Sequence, residues 1–344
     1  MAEVRRNDYS LSDDQRAVRD SFTEFFVREC PSSRVRDAEP HGFDEKLWRS
    51  MAQTGAVTMG LPMELGGGDA DLVDLVLVAE QYGRHLAPVP LIEATVALRL
   101  LGRSAPEQAG AWIEGAAAGG LFPTLALRPM ATDRQLIPAG SVAAAVLGLN
   151  GDDLVLAATE KPLPQVRNQG SAPLAWWEAS PGTVLATGPR ARELYGQAVR
   201  EWKLLTAAAL VGIGDGALQL GLAFVKDRKA FDTPIGAFQA ISHALADTYT
   251  AVIGARHLTW KAAWFTENEP GRRRELIPMA FAYAAQTAMK AATVGTHVQG
   301  GFGFTVESDL QLYFRRAKGW SVLAGDPRAE LSAIGRLLAD QVRS

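Results

Sequence analysis

The chain has 344 residues, 47% of them hydrophobic and 21% charged, with 35 Lys and Arg against 38 Asp and Glu for a formal charge of −3. That near-neutral balance excludes a general nucleic-acid binder, which would carry a basic excess, and the length allows two or three domains. A single cysteine, Cys30, excludes an internal disulfide and any zinc site built on paired cysteines.

The charged opening MAEVRRNDYSLSDDQ has no apolar signal core. Residues 12–26 then read as a helix. Ser12 with Gln15 forms a capping-box pair, and Val18, Phe22, Phe25 and Phe26 fall on one helical face. Further helices are expected over 43–55, 71–82 and 91–101, with a loop at Gly66-Gly67-Gly68 and a break at Pro88 and Pro90. From about Gly119 the pattern changes. Short apolar runs at 121–127, 142–147, 153–158 and 183–186 are separated by Gly, Pro, Asn and Asp, which are strand and turn signals. After Pro189 the helical pattern returns. A long run covers 201–229, and Thr233-Pro234 interrupts it because proline lacks a donor and restricts its predecessor. Helices follow over 237–265 and 276–298, the second ended by Gly300-Gly301-Phe302-Gly303. A second capping-box pair, Ser308 with Gln311, precedes a helix through Lys318, and a last helix covers 328–342.

The expected fold is mostly α with a small β insert, in three parts: a helical domain at 1–118, a small β domain at 119–188 and a helical bundle at 189–344. Nothing alternates strand and helix as a dinucleotide-binding fold does. The five histidines (His41, His85, His243, His257 and His297) have no metal-ligand spacing, so no metal is expected. The most apolar stretches, 204–213 and 279–292, are too short or too polar to span a bilayer. A reducing cytoplasm is the simplest home for one unpaired cysteine.

Two stretches carry chemistry. The first is Asp227-Arg228-Lys229-Ala230-Phe231-Asp232-Thr233-Pro234-Ile235-Gly236-Ala237-Phe238-Gln239. Alone, Arg228 is either a fork for a phosphate or a cation complementing a helix dipole. The second is Gly300-Gly301-Phe302-Gly303-Phe304-Thr305, alone a helix terminator or a close-approach turn. In this order and spacing they resemble the acyl-CoA dehydrogenase family. Ala244-Leu245-Ala246-Asp247, the helix from Glu307 to Lys318, and Leu61-Pro62-Met63-Glu64-Leu65-Gly66-Gly67 agree.

The resemblance implies an N-terminal helical domain, a middle β domain, a C-terminal four-helix bundle, and FAD held between two subunits. It assigns flavin contacts reaching across the interface to Arg228, Phe231, Gln239, His297 and Gly301, with His297 standing where the family usually has glutamine. It also implies an acyl-CoA substrate and an electron-transfer flavoprotein as acceptor.

The family's chemistry needs a carboxylate base for the α-proton while the β-hydrogen leaves as hydride. The two positions that the family uses hold Ala324 and Trp202, neither of which accepts a proton. Glu201 is adjacent to Trp202, but one step along a helix turns a side chain by about 100°. Asp326 lies two residues beyond Ala324. In the middle domain, Leu125-Ala126-Leu127-Arg128-Pro129-Met130 replaces the family's own-flavin segment. Contacts offered to a neighbour's flavin are therefore present, while those for the chain's own flavin are eroded.

That asymmetry resembles the short subunit of actinobacterial α2β2 enzymes of steroid side-chain breakdown, whose partner is a longer homologue. Two other readings stay open at this point. One is a homomeric dehydrogenase with Glu201 or Asp326 as a displaced base. The other is a non-catalytic subunit that binds acyl-CoA or only a partner.

Overall fold

A computed structural model describes residues 10–343 except residues 40, 131–133, 160–161 and 179. The charged residues 1–9 thus lie outside the described residues. The first part is helical: α1 (Asp13–Glu29), α2 (Ser32–Asp37), α3 (Glu45–Gln53), α4 (Leu72–Arg84), α5 (Leu91–Ser104) and α6 (Pro106–Ala117). The Ser12–Gln15 box closes in both directions, at 3.0 and 3.1 Å. Asp71 and Asp74 form a second box at the start of α4. No periodic signal marks α2 or α6. α6 begins on Pro106, whose missing N–H falls where a helix needs no donor.

The strands are β1 (Pro123–Leu125), β2 (Gln135–Ile137), β3 (Ala145–Asn150), β4 (Asp153–Ala158), β5 (Gln165–Val166), β6 (Leu174–Trp177) and β7 (Thr183–Thr187). They form a four-stranded sheet of order β1-β3-β4-β7 and a three-stranded sheet of order β2-β6-β5. Only the β1–β3 pair is parallel within them. β2, β5 and β6 have two to four residues each, too few for an alternating pattern to emerge.

The bundle comprises α7 (Gly188–Asp227), α8 (Gln239–Asn268), α9 (Leu276–Gln299), α10 (Leu310–Ser321) and α11 (Glu330–Arg343). Between α7 and α8 lies a hairpin of β8 (Lys229–Ala230) and β9 (Thr233–Pro234). α7 is long and apolar enough to cross a membrane by length and composition, but it is the central core helix, buried over most of its apolar stretch. α4 lies close against it across Gly83 and Gly212, where an added Cβ would come within 2.0 Å of the Ala209 and Glu80 carbonyl oxygens.

The expected Ser308–Gln311 box does not form. Ser308 is buried, donates to Gln299 Oε1 at 2.7 Å and accepts the Leu310 N–H at 3.2 Å. Its hydroxyl is therefore used to tie α10 to the end of α9, and Asp309 becomes the cap position.

α10 joins all three parts. Arg316 is fully buried and pairs with Glu39 at 2.8 Å, Arg315 pairs with the same carboxylate, and Arg36 pairs with Asp309 at 2.6 Å. On the β side, Trp320 Nε1 donates to the Gly170 carbonyl at 3.0 Å. These contacts create a junction where the helical domain, the β unit and the bundle meet.

Candidate functional site

The residues of the two motif stretches gather at one end of the bundle. There α7, α8 and α9 converge. A Cβ at Gly221 would lie 3.3 Å from the Gly295 Cα and 3.7 Å from Leu245 Cδ2. Arg228 follows α7 directly, Gln239 opens α8, His297 sits in the last turn of α9, and Gly301 is in the turn beyond it. All four are exposed. Arg228 has no carboxylate within 4.0 Å among the described residues.

Phe231 stands at the tip of the β8–β9 hairpin and is 94% exposed. It and Asp232 both have positive φ, 52° and 59°, as a two-residue hairpin turn of this hand requires. A non-glycine residue there costs roughly 1–2 kcal/mol. The hairpin thus holds an aromatic ring in water in a strained turn, an arrangement met at binding surfaces. Phe304 and Val306, beyond the end of α9, are also 79% and 72% exposed.

Gly301 differs from its neighbours in the turn. Nothing lies within 4 Å of a Cβ built on it, and its φ is not positive. Gly300 has φ +62°, and a Cβ on Gly303 would meet the Thr296 carbonyl oxygen at 2.4 Å. Gly300 and Gly303 shape the turn, while Gly301 leaves its outer surface open to an approaching group.

The other decisive place is the three-domain junction. Both positions that the family uses for a base adjoin it, Trp202 directly and Ala324 through its neighbour Leu323. It is filled. Trp202 is 1% exposed, and Tyr82 stacks on Trp320 at 5.2 Å between ring centroids. The space left measures about 30 Å³, room for a water and not for a thioester. Trp202 Nε1 donates to Glu93 Oε1 at 3.2 Å, and burial pushes the Glu93 carboxyl up from its ordinary range. Tyr82, Glu93 and Trp320 carry no sequence motif. Their meeting is tertiary, and no local signal could have found it.

Glu201 does not line this junction. It turns the other way, as the helical step requires, and pairs with Arg99 at 3.0 Å and Arg103 at 2.7 Å. Burial pushes its carboxyl up, but the two guanidinium groups outweigh that and hold it below its ordinary value. Asp326 is exposed and caps the turn at Pro327, accepting the Arg328 N–H at 2.9 Å. The Arg328 guanidinium and N–H hold its carboxyl at about 2. Each carboxylate is committed to arginine and poorly set to take a proton near neutrality.

The segment 125–130 fits no flavin of its own. Ala126, Leu127 and Met130 are buried as core. The Ala126 and Met130 N–H groups donate to Leu147 and Leu149, and the Ala126 carbonyl accepts from Tyr195 at 2.9 Å. The bundle end has groups that suit a pyrophosphate-bearing group: an unpaired guanidinium, an exposed ring and an open glycine turn. Among the described residues no cluster of His, Cys, Asp and Glu is suited to a metal.

Comparison with known proteins agrees with this geometry. The family description "Acyl-CoA dehydrogenase, C-terminal domain" matches residues 197–338, and its N-terminal counterpart matches residues 12–120. The acyl-CoA dehydrogenase IpdE2 of Mycolicibacterium smegmatis is 30% identical over 327 residues, covering 93% of this chain and 97% of that protein. FadE27 of Mycobacterium tuberculosis, also an acyl-CoA dehydrogenase, is 30% identical over 348 residues, covering 89% and 91%. Among solved structures, a variant of the Tcur3481–Tcur3483 steroid acyl-CoA dehydrogenase superposes with TM-score 0.87 at 24% identity, covering 97% of this chain and 100% of that one. The ChsE4–ChsE5 complex from Mycobacterium tuberculosis gives 0.85 at 25% identity, covering 96% and 99%.

Proposed function

The chain belongs to the acyl-CoA dehydrogenase family, and from that premise we propose that it is the flavin-completing subunit of a heteromeric enzyme whose longer homologous partner carries the base. The observation that carries this reading is the filled junction, which leaves about 30 Å³ where an acyl thioester would have to lie. A homomer of this chain would have no carboxylate at either of the family's base positions and no room for a thioester at that junction. The steroid enzyme and the two-protein complex among the structural neighbours support a heteromer acting on a steroid-derived or otherwise bulky acyl-CoA. The burial of Cys30, which pushes its thiol up to about 12, suits a reducing cytoplasm.

Bound FAD supplies the acceptor for the β-hydride, and an electron-transfer flavoprotein takes the electrons on. This chain's residues bind and orient. Arg228 would hold the pyrophosphate of a partner-held flavin, which a planar guanidinium does better than an ammonium. Phe231 would cover the cofactor from the hairpin tip, Gln239 and His297 would offer hydrogen bonds, and Gly301 would let backbone come close.

The test is purification of the chain alone and together with the longer homologue. The chain alone is expected to be colourless. Co-purified, the pair is expected to be yellow and to bleach on addition of a bulky acyl-CoA. A yellow chain that bleaches unaided overturns the proposal.

A further inference from the structure

The turn that carries Gly301 is not held by the bundle alone. Between Phe304 and Leu310 the chain forms neither helix nor strand. Two anchors hold this stretch. One lies within the bundle, where the buried Ser308 donates to Gln299 Oε1 at 2.7 Å. The other comes from the helical domain.

Arg36, in the last turn of α2, spends its whole fork there. Its Nε and Nη2 donate to Asp309 Oδ1 at 3.0 and 2.6 Å. Its Nη1 donates to the Val306 carbonyl at 2.5 Å, and Nη2 also to the Glu307 carbonyl at 3.0 Å. Two of these bonds end on main-chain oxygens, so the grip fixes the path of the backbone and not only a side chain. A single exposed ion pair would contribute little. A planar guanidinium engaged through all three nitrogens specifies geometry as well.

The clamp has a braced base and a short lever. Glu39, just beyond α2, pairs with Arg315 and Arg316 of α10 and accepts from the Ser171 hydroxyl at 2.9 Å. α2 is thereby fastened to the bundle and to the β unit. On the other side, the Thr305 N–H and hydroxyl both donate to the Phe302 carbonyl at 2.9 Å. A shift of residues 306–309 is therefore passed to Phe302 and its neighbour Gly301.

We infer that Arg36 is a positioning residue for the cofactor: from the helical domain it sets the turn that presents Gly301 to a flavin held by the partner. This rests on the reading of the bundle end proposed above. Arg36 carries no motif and touches no motif residue, so its role follows only from the meeting of α2 with the segment after the turn.

Two measurements test it. The first is hydrogen exchange of the full chain across residues 300–310, where the Thr305 and Leu310 amides are hydrogen-bonded. Arg36→Gln should speed exchange there about 10-fold, the loss of a hydrogen bond to a charged group, and leave α9 unchanged. The second is FAD titration of the assembled complex. Arg36→Gln should weaken flavin about 5-fold or more, the low end of a coupling between two sites. Arg36→Lys keeps the charge without the fork and should resemble Arg36→Gln. Asp309→Asn, which spares both carbonyl contacts, should move both readouts the same way but less.

A merely structural role is separated by a double-mutant cycle. In a Gly301→Val background, Arg36→Gln should weaken flavin by less than about 2-fold, because both changes act through one turn. Independent effects that multiply would overturn the inference, as would unchanged exchange at 300–310 or unchanged flavin affinity in Arg36→Gln. Arg228→Ala in the same complex tells the two readings apart. If it weakens flavin and Arg36→Gln does not, this inference alone fails. If neither does, the proposed role of the bundle end fails with it.

Discussion

The three-domain junction and the motif-bearing end of the bundle stand at opposite extremes of packing. At the junction Trp202, Trp320 and Tyr82 are buried and interlocked, and the space between them admits about one water. At the bundle end Phe231, Phe304, Arg228 and Gly301 face solvent with nothing of this chain packed on them. In one fold, the place where a chain of this family would accept substrate is closed, and the face by which it would serve a neighbour is bare. The difference teaches that a filled interior and a bare, motif-bearing surface can be carried by different ends of the same helices.

The largest effect is expected from opening the closed region. Trp202→Ala should destabilise the chain by about 3–5 kcal/mol, the usual cost of deleting a buried aromatic side chain. It would also leave the enclosed Glu93 carboxyl without its indole donor. Denaturant unfolding measures this; a loss below about 1 kcal/mol would mean that the junction is only loosely filled.

At the bare end the pattern should reverse. Arg228→Ala should change the stability of the chain by less than about 0.5 kcal/mol, because the residue is exposed and unpaired. In the assembled complex it should weaken flavin by about 10–100-fold, matching a charge-assisted contact of roughly 1.5–3 kcal/mol. Equal flavin content in variant and wild-type complexes would break the contrast.

The smallest effects fall within one turn and sharpen the comparison most finely. Gly301→Val should be nearly neutral to the isolated chain, since its Cβ meets nothing, yet lower flavin occupancy of the complex. Gly303→Ala should cost the isolated chain about 1–3 kcal/mol through its clash with the Thr296 carbonyl. Melting curves of the two variants, beside their flavin absorbance after assembly, separate a cofactor glycine from a turn glycine.

What was legible in the sequence follows the same division. The helices of the first part and the bundle announce themselves through caps and periodic apolar faces, as at Ser12–Gln15 and at Phe22, Phe25 and Phe26. The Arg228 and Gly301 motifs are each contiguous, so each could be read along the chain, while their convergence at one end of the bundle depends on how α7, α8 and α9 pack. β2, β5 and β6 were too short to pattern, and α6 opens on a proline that reads equally as a loop. Ser308 has the residues of a capping box but spends its hydroxyl on Gln299, a tertiary choice. The filled junction was legible only in part. Trp202 could be seen to replace a base, but its meeting with Tyr82, Glu93 and Trp320 depends on three separate segments converging.

The flavin count of the assembled complex tests the division of labour most directly. Leu125, Ala126, Leu127 and Met130 are buried and the Ala126 and Met130 N–H groups are paired, which supports the proposal that the partner holds the flavin and this chain completes it. Absorbance of the released cofactor against protein concentration should therefore give one flavin for every two chains, one of each kind. One flavin per chain would contradict it.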